Sequence, residues 1–131
     1  MKFLLDTNVF LWGLSGEEKL NFHAQEILTS SLSEMYLSAV SSWEIAIKFA
    51  LGLLPLPKTP SHFIPQGLRV WALHTLNITH EHAFTAGQLP AHHRDPFDRM
   101  LIAQAISEQM TLLTADRVLQ KYKVDLIFCG K

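Results

Sequence analysis

An α/β domain with a central, mainly parallel sheet and helices on both faces is the fold class this sequence predicts. Short apolar runs with strand character alternate with longer stretches of helical spacing from end to end, the pattern of a parallel sheet wrapped by helices. Acidic residues follow three of those runs, at Asp6, Glu44 and Asp116. In a parallel sheet the carboxyl ends of the strands form the ligand crevice, so these acids are expected on its rim. The chain has 131 residues, 48% of them hydrophobic and 18% charged, which suffices for one core in a single domain over 1–131. The apolar excess hints at a second buried surface.

The elements follow in order. Lys2–Leu5 reads as a buried strand ending at Asp6, and Val9–Leu14 has helical character before a turn at Ser15-Gly16. Leu20, Ala24, Ile27, Leu28 and Leu32 recur at helical spacing. Met35–Val40 is expected as the second strand. Ser41-Ser42 then offers an N-cap for a helix to about residue 51, stopped by Gly52 and the Pro55/Pro57 pair. Prolines punctuate Pro57–Pro65, which reads as a loop leading into a short helix at best. Val70–Leu73 is expected as the third strand, and Thr79 caps a helix through about residue 87. After a loop at Gln88–Arg94, Asp95-Pro96 opens the strongest helix, to about residue 109. Thr111–Leu113 is a short strand, Asp116–Tyr122 a short helix and Val124–Phe128 the last strand.

Bulk properties exclude several classes. Apolar runs are interrupted within about ten residues, short of the ~20 that span a bilayer. Met-Lys-Phe-Leu-Leu-Asp lacks the pattern of a signal peptide. The single cysteine, Cys129, reads as a tail thiol, and one free thiol fits a cytoplasmic protein. The formal net charge is −1, so a nucleic-acid partner would meet no global basic field and its attraction must be local or metal-mediated.

Asp6, Glu44, Asp98 and Asp116 are the candidate catalytic and metal-ligating residues, each with a competing structural role. Asp6 could cap the helix after it, although Thr7 and Asn8 are also eligible. Ser41-Ser42-Trp43-Glu44 matches a capping box, and Glu44 pairs with Lys48 at i,i+4. Asp98 points into the apolar arc of Phe97, Leu101, Ile102, Ala105 and Ile106 on a helical projection, whereas Arg99, Gln104, Ser107 and Glu108 lie outside it. Capping by Asp95 does not explain that inward direction. Asp116 could cap the final helix. Four converging carboxylates repel one another unless a cation sits among them, and a hard divalent ion, Mg²⁺ or Mn²⁺, suits an all-oxygen set.

Leu4-Leu5-Asp6-Thr7-Asn8, Ser42-Trp43-Glu44-Ile45, His92-His93-Arg94-Asp95-Pro96-Phe97-Asp98-Arg99 and Leu113-Thr114-Ala115-Asp116 resemble the PIN-domain ribonucleases, and most closely the VapC-like toxins of bacterial toxin–antitoxin pairs. The resemblance covers essentially the whole chain in order. It implies a three-layer α/β/α PIN-like domain and a Mg²⁺- or Mn²⁺-dependent endoribonuclease that hydrolyses RNA phosphodiester bonds through a metal-activated water. It also implies a cognate antitoxin as protein partner. By the same resemblance Asp6, Glu44 and Asp98 would be the central metal-binding acids, Asp116 a fourth acting through water, and Thr7 and Thr114 hydrogen-bonding groups that orient them.

Lys48, His93, Arg94 and Arg99 flank the acids and are candidates for contact with substrate phosphates, or for ion pairs with the acids themselves. His80-Glu81-His82 and His92-His93 lack the i,i+4 spacing of a helical zinc site and read as surface or helix-end groups. Trp12, Trp43 and Trp71 read as core. The helix from residue 43 is apolar nearly all round and calls for cover on more than one side, which predicts a homodimer contact, an antitoxin groove, or both. Three rival readings stand: a nuclease of the same fold for RNA processing or structured DNA, an aspartate-phosphorylating phosphatase or receiver, and a non-catalytic protein-binding domain. The phosphatase pattern wants a second Asp where Asn8 stands, and the receiver pattern wants a paired acidic cluster that is missing.

Overall fold

The computed structural model describes residues Met1–Lys131. The elements are β1 (Lys2–Leu5), α1 (Thr7–Ser15), a 3₁₀ turn (Glu17–Lys19), α2 (Phe22–Thr29), β2 (Glu34–Ser38), α3 (Ala39–Ala50), α4 (Pro60–Val70), β3 (His74–Leu76), α5 (His80–Gln88), α6 (Pro96–Glu108), β4 (Thr111–Thr114), a 3₁₀ segment (Arg117–Lys121) and β5 (Leu126–Phe128). All five strands are parallel, in the order β3-β2-β1-β4-β5. The chain builds outward from β1 on one side, then returns to build outward on the other. The reversal lies between β1 and β4, and the crevice beyond their carboxyl ends is the favoured ligand position in such sheets.

β1 has a partner on both edges: Leu4 is level with Tyr36 on β2 and Leu112 on β4, and Leu5 with Leu37 and Leu113. Side chains alternate across a strand, so the apolar run feeds two cores. Phe3 and Leu5 join Met35, Leu37 and Leu113 under Val9, Phe10, Ala24, Ile27, Leu28, Phe63 and Ile64 from α1, α2 and α4. Leu4 and Leu112 meet Leu101, Ile102 and Ala105 of α6, with Leu119 and Tyr122 beside them. α3 stands at the end of the sheet and contributes Ile45 to the first core and Val40 to the second.

Several boundaries differ from the sequence expectation. β3 is His74–Leu76 rather than Val70–Leu73, because α4 extends to Val70. The prolines of that region do not prevent an 11-residue helix: Pro60 sits in the first turn, where its missing N–H is harmless. Phe63, Ile64 and Gly67 are buried, and Phe63 meets Phe10 edge-on at 6.4 Å. Packing here overrides propensity. α3 begins directly after β2, capped by Ser38, whose Oγ accepts from the Val40 N–H at 3.0 Å. Val40 is therefore helical, Ser41 lies inside the helix, and the capping-box reading of Ser41–Glu44 falls. α2 ends at Thr29, leaving Leu32 exposed. The last helix is a 3₁₀ segment.

Burial corrects other expectations. Gln104 and His82 are fully buried because α5 packs on the side of α6 opposite the sheet. His82 closes a capping box at the start of α5, accepting from the Thr79 N–H at 3.1 Å, and its Nε2 lies 2.8 Å from Glu108 Oε2. Cys129 is a core residue rather than a loose tail thiol, and burial pushes its thiol up to about 12. Trp43 is exposed, whereas Trp12 and Trp71 border the first core.

Gly67 lets α4 approach α1, since a Cβ there would stand 2.7 Å from Leu14 Cδ1 and from Phe10 Cζ. Gly67→Val should lower the urea unfolding midpoint by the equivalent of about 1–3 kcal/mol with the m-value unchanged. An unaltered midpoint would show that the α1–α4 contact yields freely.

Candidate active site

Asp6 stands where β1 stops. Its backbone N–H donates to Leu113 O of β4 at 2.9 Å, and its carboxylate caps α1, Oδ1 accepting from the Val9 N–H at 3.0 Å. Oδ2 accepts from the Thr114 hydroxyl. One oxygen thus caps α1 while the other is held by Thr114. The Thr114 hydroxyl also accepts from the Asp116 N–H at 3.1 Å, linking the rims of β1 and β4.

Glu44 comes from the second turn of α3 and is buried. Thr7 donates to its Oε1 at 2.7 Å, with the Ser41 hydroxyl 3.0 Å from Thr7 Oγ1. Lys48 reaches Oε2 at 2.5 Å, and this hydrogen bond holds the ammonium pKa above its ordinary value. Asp98 is the third residue of α6, where its N–H shares the Asp95 cap. Asp116 caps the 3₁₀ segment through Oδ1, which accepts from the Val118 N–H at 2.9 Å.

The acids feel one another. Burial raises the pKa of Asp6, with hydrogen bonds from Thr114 and Val9 opposing and the Glu44 charge adding. Asp98 is pushed up to about 7, first by burial and then by the charges of Asp95, Asp6 and Glu44, against a lowering by His93. Burial and neighbouring carboxylates both disfavour the charged form there. Asp6 just after β1, Glu44 on α3 and Asp98 on α6 offer carboxylate oxygens, the donor type that a hard divalent cation prefers.

His93 Nε2 lies 3.1 Å from Asp98 Oδ2 and 3.2 Å from Asp116 Oδ2. His93, Asp98 and Asp116 can each offer a ligand atom, all within 4.8 Å of one another. Arg99 turns away from the crevice: its guanidinium donates to Pro90 O and Ala86 O at 2.9 Å and to Leu89 O at 3.0 Å. Those bonds leave Arg99 poorly placed for the substrate contact considered from sequence. Arg94 is exposed. Ser41 and Tyr122 escaped the sequence reading. Ser41 hid in an apparent cap, and Tyr122, whose hydroxyl accepts from the His93 N–H at 2.8 Å, resembled any core aromatic.

The PIN domain family model matches residues 3–125. Ribonuclease VapC16 of Mycobacterium tuberculosis (strain ATCC 25618 / H37Rv) is 38% identical over 50 residues, which is 38% of this chain and 36% of that protein. The chain thus aligns with about a third of the length of this curated relative. Among solved structures, the fold is similar to VapBC2 from Rickettsia felis bound to a DNA fragment from its promoter, with TM-score 0.74 and 14% identity over 99% of this chain and 100% of that one. DNA-bound VapBC from Salmonella typhimurium gives TM-score 0.73 and 20% identity over 98% of each chain. FitAcB from Neisseria gonorrhoeae gives 0.68 and 22% over 95% and 96%. At these identities the likeness is one of fold.

The raised Asp98 pKa predicts a pH dependence of stability in EDTA. A carboxyl with a folded pKa above its unfolded value is protonated longer in the native state, so its contribution is fully present below about pH 4 and is lost as pH rises through about 7. Wild type should lose stability across that window relative to Asp98→Asn, which should flatten the slope. Parallel urea midpoints for the two proteins between pH 4 and 8 would contradict the assignment.

Proposed function

The chain belongs to the PIN domain family, and on that footing we propose that it is a metal-dependent endoribonuclease, the toxin half of a toxin–antitoxin pair. The observation that carries the reading is the placing of Asp6, Glu44 and Asp98 from separate elements within one another's field, where burial first and then the charges of Asp95, Asp6 and Glu44 hold Asp98 near neutrality. Asp6, Glu44 and Asp98 would hold Mg²⁺ or Mn²⁺, with Asp116 at the margin. A bound ion of this kind supplies charge stabilisation at a phosphodiester and lowers the pKa of water.

The chain's own residues do the positioning. Thr114 and the Val9 N–H fix the two oxygens of Asp6, and Thr7 fixes one oxygen of Glu44, so the carboxylates need little reorganisation to receive a cation. Lys48 and the exposed Arg94 are the cations that would meet substrate phosphates at the rim. With a net charge of −1, affinity for RNA would depend on these local charges and on the metal. RNA as substrate is supported by the name of the mycobacterial relative, a ribonuclease.

A protein partner is supported by the VapBC and FitAcB complexes that share the fold. The α3 stripe of Trp43, Ala46 and Ala50, with Leu53 in the turn after it, is exposed, and Trp43 rests edge-on against Phe97 at 5.3 Å. We assign this stripe to a homodimer contact or to the antitoxin. No helix is long and apolar enough to cross a membrane.

Purified chain should cleave a mixed RNA pool with Mg²⁺ or Mn²⁺ and not in EDTA. Asp98→Asn should reduce the rate at least about 100-fold, the scale of losing one preorganised electrostatic partner. Metal-independent cleavage, or full activity in the variant, would overturn the reading. Leu53→Glu, at an exposed position, should lower the mass seen by light scattering or abolish antitoxin capture; if both stay as in wild type, the stripe is not an interface.

A further inference from the structure

We infer that Arg99 and His93 form a two-part positioning clamp: Arg99 fixes the backbone of Ala86–His93, and His93 Nε2 stands between Asp98 and Asp116 with its N–H on Asp116. The inference rests on the metal-site reading above and adds residues that do not themselves ligate.

Arg99 is the fourth residue of α6, one step beyond Asp98. The Ala86 carbonyl that it engages lies in the last turn of α5, and the Leu89 carbonyl is at its C-cap. Carbonyls at a helix end lack helical partners, and a guanidinium there satisfies them and suits the negative end of the dipole. The same guanidinium binds Pro90 O and, more weakly, His93 O at 3.4 Å. One side chain thus gathers four carbonyls of the connection between α5 and α6. The far end of the connection is held by the His93 N–H on the Tyr122 hydroxyl, which the Arg99 guanidinium also approaches at 3.5 Å. The planar fork of arginine suits several acceptors at once; an ammonium does not.

The geometry of His93 decides between a ligand and a positioning role. Its Nδ1 accepts from the Asp95 N–H at 3.2 Å. A ring nitrogen that accepts has its lone pair engaged, so the proton of the neutral ring is on Nε2. Nε2 is the atom 3.1 Å from Asp98 Oδ2 and 3.2 Å from Asp116 Oδ2. The ring therefore presents its N–H to Asp116, with Asp98 Oδ2 beside the same nitrogen, and not the lone pair that a metal would require. Asp116 has its other oxygen on the Val118 N–H, so both of its oxygens are directed. His93 sets the separation of an acid on α6 from an acid beyond β4, and Arg99 sets the position of His93.

Mn²⁺ titration of the full chain by calorimetry tests the clamp without relying on catalysis. Arg99→Ala and His93→Ala should each weaken Mn²⁺ binding roughly tenfold, the scale for groups that orient metal ligands. The double variant should be no weaker than the poorer single variant, because both act through one contact. Added guanidinium ion should restore Arg99→Ala, and Arg99→Lys should not match wild type. Wild-type affinity in both single variants, or losses that multiply in the double variant, would overturn the inference. Should Arg99→Ala fail to fold by circular dichroism, His93→Ala at its half-buried position decides alone, and unchanged Mn²⁺ binding there overturns it. Absence of Mn²⁺ uptake by the wild type would instead sink the metal reading. The clamp is then judged by hydrogen exchange of the His93 backbone N–H, which must speed up in Arg99→Ala and otherwise refutes it.

Discussion

β1 is hydrogen-bonded along both edges and covered on both faces, so its register cannot slip by one residue without exchanging Phe3 and Leu5 for Leu4 between the two cores. That constraint reaches past the strand. The Asp6 N–H continues the ladder to Leu113, which ties the first site acid to β4, and Thr114 at the end of β4 returns a hydrogen bond to the Asp6 carboxylate. Because α1 starts at once with Thr7, the next hydroxyl falls beside Glu44. The position of three functional groups thus follows from one buried strand of four residues.

The crevice that results is electrostatically unbalanced. Hydrogen-bond donors serve Asp6 and Glu44, and Lys48 pairs with Glu44, but Asp98 is buried among the charges of Asp95, Asp6 and Glu44, with His93 opposing them. Ordinary protein stability would disfavour such a cluster. Sites that bind cations tolerate it, since the ion supplies the missing charge. The repulsion within the crevice and the affinity proposed for Mg²⁺ or Mn²⁺ are two aspects of one arrangement.

The helices around the sheet are less uniform than a three-layer scheme suggests. α6 packs its apolar arc on β4 and β1 and its opposite side on α5, where Gln104 and His82 are buried as a polar pair 3.3 Å apart. Gln104 Nε2 also lies 3.3 Å from Asn77 O. His82 is satisfied there and Gln104 only in part, because its Nε2 finds neighbours while its buried Oε1 has no partner. The α5–α6 connection, gathered by Arg99, brings His93 beside Asp98 and Asp116.

The sequence by itself determined the α/β class, the parallel sheet, and the acids worth watching, because strand and helix periodicity, Asp-Pro at a helix start and a carboxylate in an apolar arc are local signals. Asp98 was legible for that reason: an unpaired inward acid demands an explanation within its own helix. Only the tertiary structure decided the rest. Pro60 and Pro65 signalled a loop, yet burial of Phe63 and Ile64 against α1 outweighs that preference in α4. Ser41 and Ser42 match a cap by sequence, yet β2 ends at Ser38, and that residue caps α3. Arg99 looked like a phosphate contact because its sequence neighbour is an acid, whereas the carbonyls that claim it lie six to thirteen residues upstream. Propensity and pattern act over a few residues, but packing, register and charge repulsion depend on groups that only folding brings together.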